Sequence, residues 1–309
     1  MALLDVILGY DCNLACDYCT ITPAMRERAL STRRVLAEMR RARARGYDRV
    51  SFTGGEPTIR RDLVGLVRRA RELGYEDVKV QSNGLLFAHA PNVARIVDAG
   101  ASTFHVSIHT HDAEAYDRLV RRPDSHRLMA QGLSNLVEAG LDPVADVILK
   151  SDTHARLPDA VRWLHDRGVR RADLWFVSLT DGNRDNLASM PRMSEVVPAM
   201  AEAFELGAER GMSLRSLHVP RCLLGPHAEH AFDPAAERVM VLTPDDVFEL
   251  ERSALTPQVH VPACEGCPER GRCRGVRPDY LERYGDAEIA AARGRVPRVP
   301  ATRLPVVEG

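Results

Sequence analysis

The sequence predicts an α/β fold: an open barrel of six strand–helix units followed by a small cysteine-rich region. Three observations carry this prediction. Six short runs rich in β-branched residues, at 4 to 9, 49 to 53, 78 to 82, 103 to 108, 143 to 149 and 172 to 178, each precede a longer stretch. In those stretches apolar residues recur at three- and four-residue steps, the period of a helix with one buried face. From Pro220 the pattern gives way to Pro- and Gly-punctuated sequence holding four of the seven cysteines. A strand, a helix and a further strand repeated in this way give a parallel sheet with right-handed crossovers, and six units rather than eight leave the barrel open.

Taken in order, the strand at 4 to 9 runs into Asp11-Cys12-Asn13-Leu14-Ala15-Cys16-Asp17-Tyr18-Cys19, a loop with the spacing C-x3-C-x2-C. Helical stretches follow at 31 to 46, 61 to 74, 92 to 99, 126 to 139 and 155 to 167, with Gly46, Gly74, Gly100, Gly140 and Gly168 as their stops. The second strand ends in Thr53-Gly54-Gly55-Glu56-Pro57-Thr58, the third in Gln81-Ser82-Asn83-Gly84 and the fourth in Ser107-Ile108-His109. Every one of these polar clusters sits at the carboxyl end of a strand, where open and closed α/β folds bind ligands. A long helix is expected around 194 to 210 and a short strand at Ser213 to His218. The division expected is 1–211 for the barrel and its following helix, 212–292 for the cysteine-rich region and 293–309 for a flexible tail with Pro297, Pro300 and Pro305.

Composition narrows the function. With 42 basic against 43 acidic residues the formal net charge is -1, so no global field attracts nucleic acid. The Arg-rich stretch from Arg40 to Arg45 lies on an expected helix and reads as a solvated face. No apolar run has the length of a membrane span, and the N-terminus lacks the basic flank and cleavage site of a signal peptide. A cytoplasmic protein is expected, and seven cysteines in that compartment point to metal ligation rather than disulfides.

Three thiolates on one short loop hold three corners of a cubane [4Fe-4S] cluster, and no fourth cysteine follows within two hundred residues. One iron is left open, which on a metal centre is the mark of chemistry rather than of structure. Zinc is the competing occupant, although zinc loops usually pair two cysteines and find the rest at a distance.

The loop, with aromatic Tyr18 before its last cysteine, and the three strand-end motifs together resemble the radical S-adenosylmethionine enzymes over about residues 4 to 180. The resemblance implies a partial (β/α)6 TIM-like barrel in which Cys12, Cys16 and Cys19 hold a [4Fe-4S] cluster whose open iron is chelated by S-adenosylmethionine. It implies that Glu56, with the backbone of Gly54 and Gly55, meets the cofactor's amine, and that Asn83 and Ser107 serve the ribose and amino-acid ends. Tyr18 and Ile148 would flank the adenine, and one of Arg118, Arg121 and Arg122 would meet the carboxylate. Taken alone, the Gly-Gly-Glu-Pro turn is an ordinary helix start, and Asn83 and Ser107 are ordinary caps. The chemistry implied is reductive cleavage of the cofactor to a 5'-deoxyadenosyl radical that abstracts hydrogen from substrate, with electrons from a flavodoxin- or ferredoxin-type donor.

The set Cys264-x2-Cys267-x5-Cys273, followed by Gly275, Tyr280 and Gly285, resembles the twitch and SPASM extensions that carry auxiliary clusters. Arg277 stands near where the full pattern has a further cysteine, and Cys222 alone stands where it has a pair. Four cysteines suffice for one auxiliary [4Fe-4S] cluster, assisting oxidation or substrate binding; the alternative is a structural zinc site. His109, His111 and His218 are placed toward the substrate space. The expected function is hydrogen abstraction from a peptide or small metabolite. A non-catalytic iron–sulfur or S-adenosylmethionine sensor does not explain the three strand-end motifs. A nucleic-acid-modifying enzyme is disfavoured by the neutral charge. The first strand begins almost at Met1, so a peptide substrate is expected to need a separate carrier or direct recognition.

Overall fold

The computed structural model describes residues 2–233, 237–250 and 259–295. Its centre is a single sheet of nine strands among the described residues: β1 (Ala2–Ile7), β2 (Arg49–Thr53), β3 (Asp77–Ser82), β4 (Thr103–Ser107), β5 (Val144–Leu149), β6 (Arg171–Phe176), β7 (Ser213–Leu217), β8 (Arg238–Leu242) and β9 (Val247–Glu249). The order is β7-β6-β5-β4-β3-β2-β1-β8-β9, so the sheet does not close on itself. All neighbours are parallel except β8 and β9. This is the predicted α/β partial barrel with its strands where the apolar runs placed them. β7 adds a strand beside β6, and β8 adds one on the far side of β1. The strands β7, β8 and β9, all beyond residue 212, extend the barrel's own sheet.

The helices on the outer face are α1 (Thr32–Ala44), α2 (Leu63–Glu72), α3 (Ala90–Asp98), α4 (Ala113–Val120), α5 (Ser125–Glu138), α6 (Leu157–Asp166) and α7 (Met193–Glu209). α1 shows the local logic. Ser31 accepts from Arg34 N at 3.2 Å as its cap, and Val35, Met39 and Ala42 on one stripe are buried against the sheet. α4 begins at Asp112, whose carboxylate accepts from Ala115 N at 2.9 Å, and buries Tyr116, Leu119 and Val120. The α1 and α5 stops use Gly46 and Gly140 in the left-handed region.

Strand residues alternate. Leu4 and Val6, Val50 and Phe52, Val78 and Val80, Phe104 and Val106, Ala145 and Val147, and Ala172 and Leu174 belong to the buried core between sheet and helices. The intervening residues face the lumen.

The C-terminal part comprises α8 (Arg221–Leu224), a single antiparallel bridge between Val259 and Val276, α9 (Pro278–Tyr284) and α10 (Ala287–Arg295). It is fastened to the barrel at α9: Asp279 accepts from Leu179 N at 2.8 Å, and the Tyr280 hydroxyl accepts from Met193 N at 3.1 Å. α10 takes in the first residues of the tail expected from Arg293, and residues 296–309 lie outside the described residues. No helix among the described residues is long and apolar enough to cross a membrane.

Candidate functional site

A cavity of about 340 Å³ opens at the carboxyl ends of the strands, bounded by Cys12, Cys16 and Cys19 on one side and the ends of β2 to β6 on the other. Of the residues singled out in the sequence, Tyr18, Gly54, Gly55, Asn83, Ser107 and Ile148 line it with the three cysteines. The loop that carries the thiols is held from several directions. Arg26 donates to Cys12 O at 3.1 Å and Leu14 O at 2.8 Å, and Arg122 donates to Asn13 O at 3.3 Å. Lys150, 2% exposed at the end of β5, grips both Asp17 carboxylate oxygens at 2.8 and 2.9 Å. The Tyr18 hydroxyl and His109 Nε2 are hydrogen-bonded at 2.6 Å, and His109 Nδ1 is buried with no partner among the described residues.

Gly54 and Gly55 owe their identity to this loop. A Cβ on Gly54, at φ +136°, would sit 2.3 Å from Gly9 O, and one on Gly55 would sit 2.1 Å from Asp11 O. The turn lies flat against the cysteine loop, with Gly55 N donating to Gly9 O and Glu56 N to Asp11 O. Glu56 itself does not line the cavity. Its carboxylate, 2% exposed, accepts from Thr58 N, Thr58 Oγ1, Ser82 Oγ and Asn83 N at 2.5 to 2.9 Å. These bonds tie the turn to the end of β3. Asn83 is likewise engaged, donating to Asn13 Oδ1 at 2.8 Å while its own oxygen accepts from Leu85 N.

None of Arg118, Arg121 and Arg122 lines the cavity: Arg118 pairs with exposed Glu114, and Arg122 braces the loop. His111 also faces away, bonded to Arg156. His109 and His218 do reach the cavity, and His218 holds a left-handed backbone at φ +75°. Sequence reasoning missed Lys150 and Trp175, and it named Gln81 in the third strand-end motif without giving it a role. The polar Lys79 and Gln81 alternating with Val78 and Val80 were the available signal for a lumen-facing Gln81.

A metal centre fits the thiol set. Burial raises the Cys12 thiol and pushes the Cys16 thiol up to about 12, with the neighbouring thiols adding to it, so the thiolate form needs a cation to hold it. The second set behaves alike. Cys222, Cys264, Cys267 and Cys273 line one small cavity beneath α10, and burial followed by the other three thiols pushes Cys222 up to about 12. All seven cysteines are free, and no three of their sulfurs lie within 4.8 Å of one another among the described residues. Three thiols on one loop suit a cluster with an open iron, and four thiols on one cavity suit a [4Fe-4S] cluster or a tetrahedral zinc ion.

A second cavity, also about 340 Å³, fills the lumen below and shares Gln81, Trp175 and His218 with the first. Its wall includes Cys273 and Gly275 from the second cysteine set. The middle layer of the lumen is polar all round. Asp5, Ser51, Lys79, His105, Asp146, Asp173 and Arg215 take the positions that bulky apolar side chains fill in a packed barrel. Arg215 forks onto Asp173 at 2.6 and 2.9 Å, and His105 Nδ1 and Trp175 Nε1 meet Asp146 Oδ1 at 3.1 and 3.2 Å.

The family model of the radical SAM superfamily matches residues 6–164. A protein named probable GTP 3',8-cyclase from Methanopyrus kandleri is 35% identical over 158 residues, 50% of this chain and 50% of the relative. One of the same name from Saccharolobus solfataricus is 32% identical over 142 residues, 46% of this chain and 45% of the relative. Molybdenum cofactor biosynthesis protein 1 of Bos taurus is 27% identical over 232 residues, 70% of this chain and 35% of the relative. The chain thus spans about half the length, or less, of these curated relatives. Among solved structures, SuiB of Streptococcus suis bound to S-adenosylmethionine superposes with a TM-score of 0.69 at 15% identity, covering 93% of this chain and 75% of that one. The anSMEcpe structure with bound AdoMet and Kp18Cys peptide gives 0.64 at 13% identity, covering 95% and 99%. At such identities these likenesses speak for the fold.

Proposed function

The chain belongs to the radical SAM superfamily, and on that premise we propose that it is an enzyme that cleaves S-adenosylmethionine reductively and turns the resulting radical on a small molecule. Cys12, Cys16 and Cys19 would hold the [4Fe-4S] cluster, and the cavity they share with Gly54, Gly55, Ser107 and Ile148 would hold the cofactor. When bound and reduced, that pair supplies a 5'-deoxyadenosyl radical that takes a hydrogen atom from substrate. The protein's part is to fix and shield the pair. Arg26, Lys150 and the Gly54–Gly55 turn hold the cysteine loop in one place, and half-buried Tyr18 with buried His109 closes its flank. Cys222, Cys264, Cys267 and Cys273 would hold one auxiliary [4Fe-4S] cluster at the far wall of the lumen. Electrons would come from a flavodoxin- or ferredoxin-type donor.

The observation that carries the reading is the convergence of three thiols, the Gly54–Gly55 backbone and three strand ends on one cavity. Two of the curated relatives are named for a nucleotide substrate, and the anSMEcpe structure holds a peptide. The lumen cavity, at the small end of the ~300–1,000 Å³ typical of small-molecule sites, supports a compact substrate over a peptide. The test is anaerobic reconstitution with iron and sulfide, followed by assay for 5'-deoxyadenosine. Wild type should release it and Cys16→Ala should not; equal release from both would refute the assignment.

A further inference from the structure

The lumen's polar belt is only half used by the protein itself. Asp146 and Asp173 are engaged by His105, Trp175 and Arg215, but Asp5 and Lys79, which both line the cavity, make no hydrogen bond or ion pair among the described residues. They are not far apart. Asp5 is register partner to Ser51, and Ser51 to Lys79, so the three stand in one row across β1, β2 and β3. Two strand intervals separate the outer pair by ~10 Å between Cα atoms. The Ser51 hydroxyl between them is fully buried and unpartnered, as is Ser216 Oγ on the same cavity's wall. Native interiors leave few such groups unsatisfied; Ser51 lies behind the cavity wall, but Asp5, with one oxygen buried and unpartnered, and Lys79 both face the cavity without a partner among the described residues and ask for a ligand.

We infer that this row anchors the substrate and takes the head group of a free α-amino acid, or of a small zwitterion of the same class, with its ammonium against Asp5 and its carboxylate against Lys79. The inference deepens the proposed function and rests on it. The charge pattern selects the class. Asp5 and Lys79 are the unpaired charges of the floor; at the rim the guanidiniums of Arg221, Arg272 and Arg277 are each committed to an acid of the protein, while Arg274 has no ion pair among the described residues. A polyphosphate could meet Arg274 at the rim but would leave the Asp5 carboxylate facing its charge at the floor, whereas a zwitterion answers both Asp5 and Lys79. A residue inside a peptide carries neither charge of the head group. The cavity's continuity through Gln81 and Trp175 then directs the ligand's body upward, toward the cofactor cavity.

The test is calorimetric titration of the reconstituted protein, saturated with S-adenosylmethionine, with the free L-amino acids one at a time, with their N-acetyl methylamides, and with GTP. At least one free amino acid should bind with a Kd below ~1 mM and a stoichiometry near one, and its blocked derivative should bind at least about tenfold more weakly. Asp5→Asn and Lys79→Met should each weaken that binding about tenfold. The comparison of free and blocked ligands on wild type serves even where a variant does not fold. The inference is overturned by binding of GTP with no amino acid bound, by failure of every free amino acid to bind, or by equal affinity for free and blocked forms. Cleavage of S-adenosylmethionine by wild type is read separately: its absence, with amino-acid binding intact, sinks the enzyme reading and leaves the subsite.

Discussion

Glu56 separates two roles that sequence alone runs together. An acid after Gly-Gly at a strand end reads as a ligand contact, but its partners Ser82 and Asn83 lie 26 and 27 positions away, and only the fold brings them to it. Its replacement leaves several buried donors without an acceptor. Glu56→Ala should therefore cost about 2–4 kcal/mol in stability, read from urea denaturation, with cofactor affinity falling as the turn loosens. Unchanged stability with affinity abolished would mean that the carboxylate meets the cofactor directly. His109 gives a pH dependence. Burial lowers it from an ordinary 6.5 to about 3, so the folded protein keeps a neutral imidazole beside Tyr18. Between those values the unfolded chain binds the extra proton, so stability is intact above pH 6.5 and declines as pH falls toward 3. By pH 5 the loss should be about 2 kcal/mol, and His109→Phe should flatten that part of the profile. An equally steep profile in the variant would assign the proton to another group.

At the scale of elements, the docking of the Gly54–Gly55 turn onto the cysteine loop is the joint on which the site depends. Gly55→Ala drives a methyl group into Asp11 O, so the loop should shift and lose its metal while the sheet survives. Iron analysis with far-ultraviolet circular dichroism checks this, and full iron content in the variant would show that the loop yields without cost. The strands β1 to β7 and the helices α1, α2, α3, α5, α6 and α7 were legible because each carries its own period. α4 was equally legible, with Asp112 as cap and Tyr116, Leu119 and Val120 on one stripe, yet the sequence reading passed over it. β8 is different. Its run Arg238–Leu242 alternates like any strand, but its partner is β1, and no local pattern announces a neighbour so remote in sequence. The cysteine loop, the Gly-Gly turn and the two groups of cysteines were legible from spacing. The lumen belt was not, because it is assembled from one residue per strand.

For the molecule as a whole, the two thiol sets line separate cavities, each sharing wall residues with the lumen cavity and each on its own segment of chain. Reconstituted wild type should hold two clusters, and a variant with Cys12, Cys16 and Cys19 all changed to Ala should keep about half the iron and sulfide. Zinc in that remainder would refute the auxiliary cluster and leave the barrel site standing. The placement of β1 between β2 and β8 sets a timetable for biosynthesis. Its register partners in β8 are made more than two hundred residues later, from Arg238 onward. At ribosomal speeds of ~5–20 residues per second, that edge stays open for ~10–50 s in the nascent chain, a bare template for strands of other chains. During the same interval the first three cysteines have emerged while the chain that completes the lumen has not. The thiols of the first site are thus made before the chain that closes the lumen exists, and until β8 arrives one edge of β1 is open to strands of other chains.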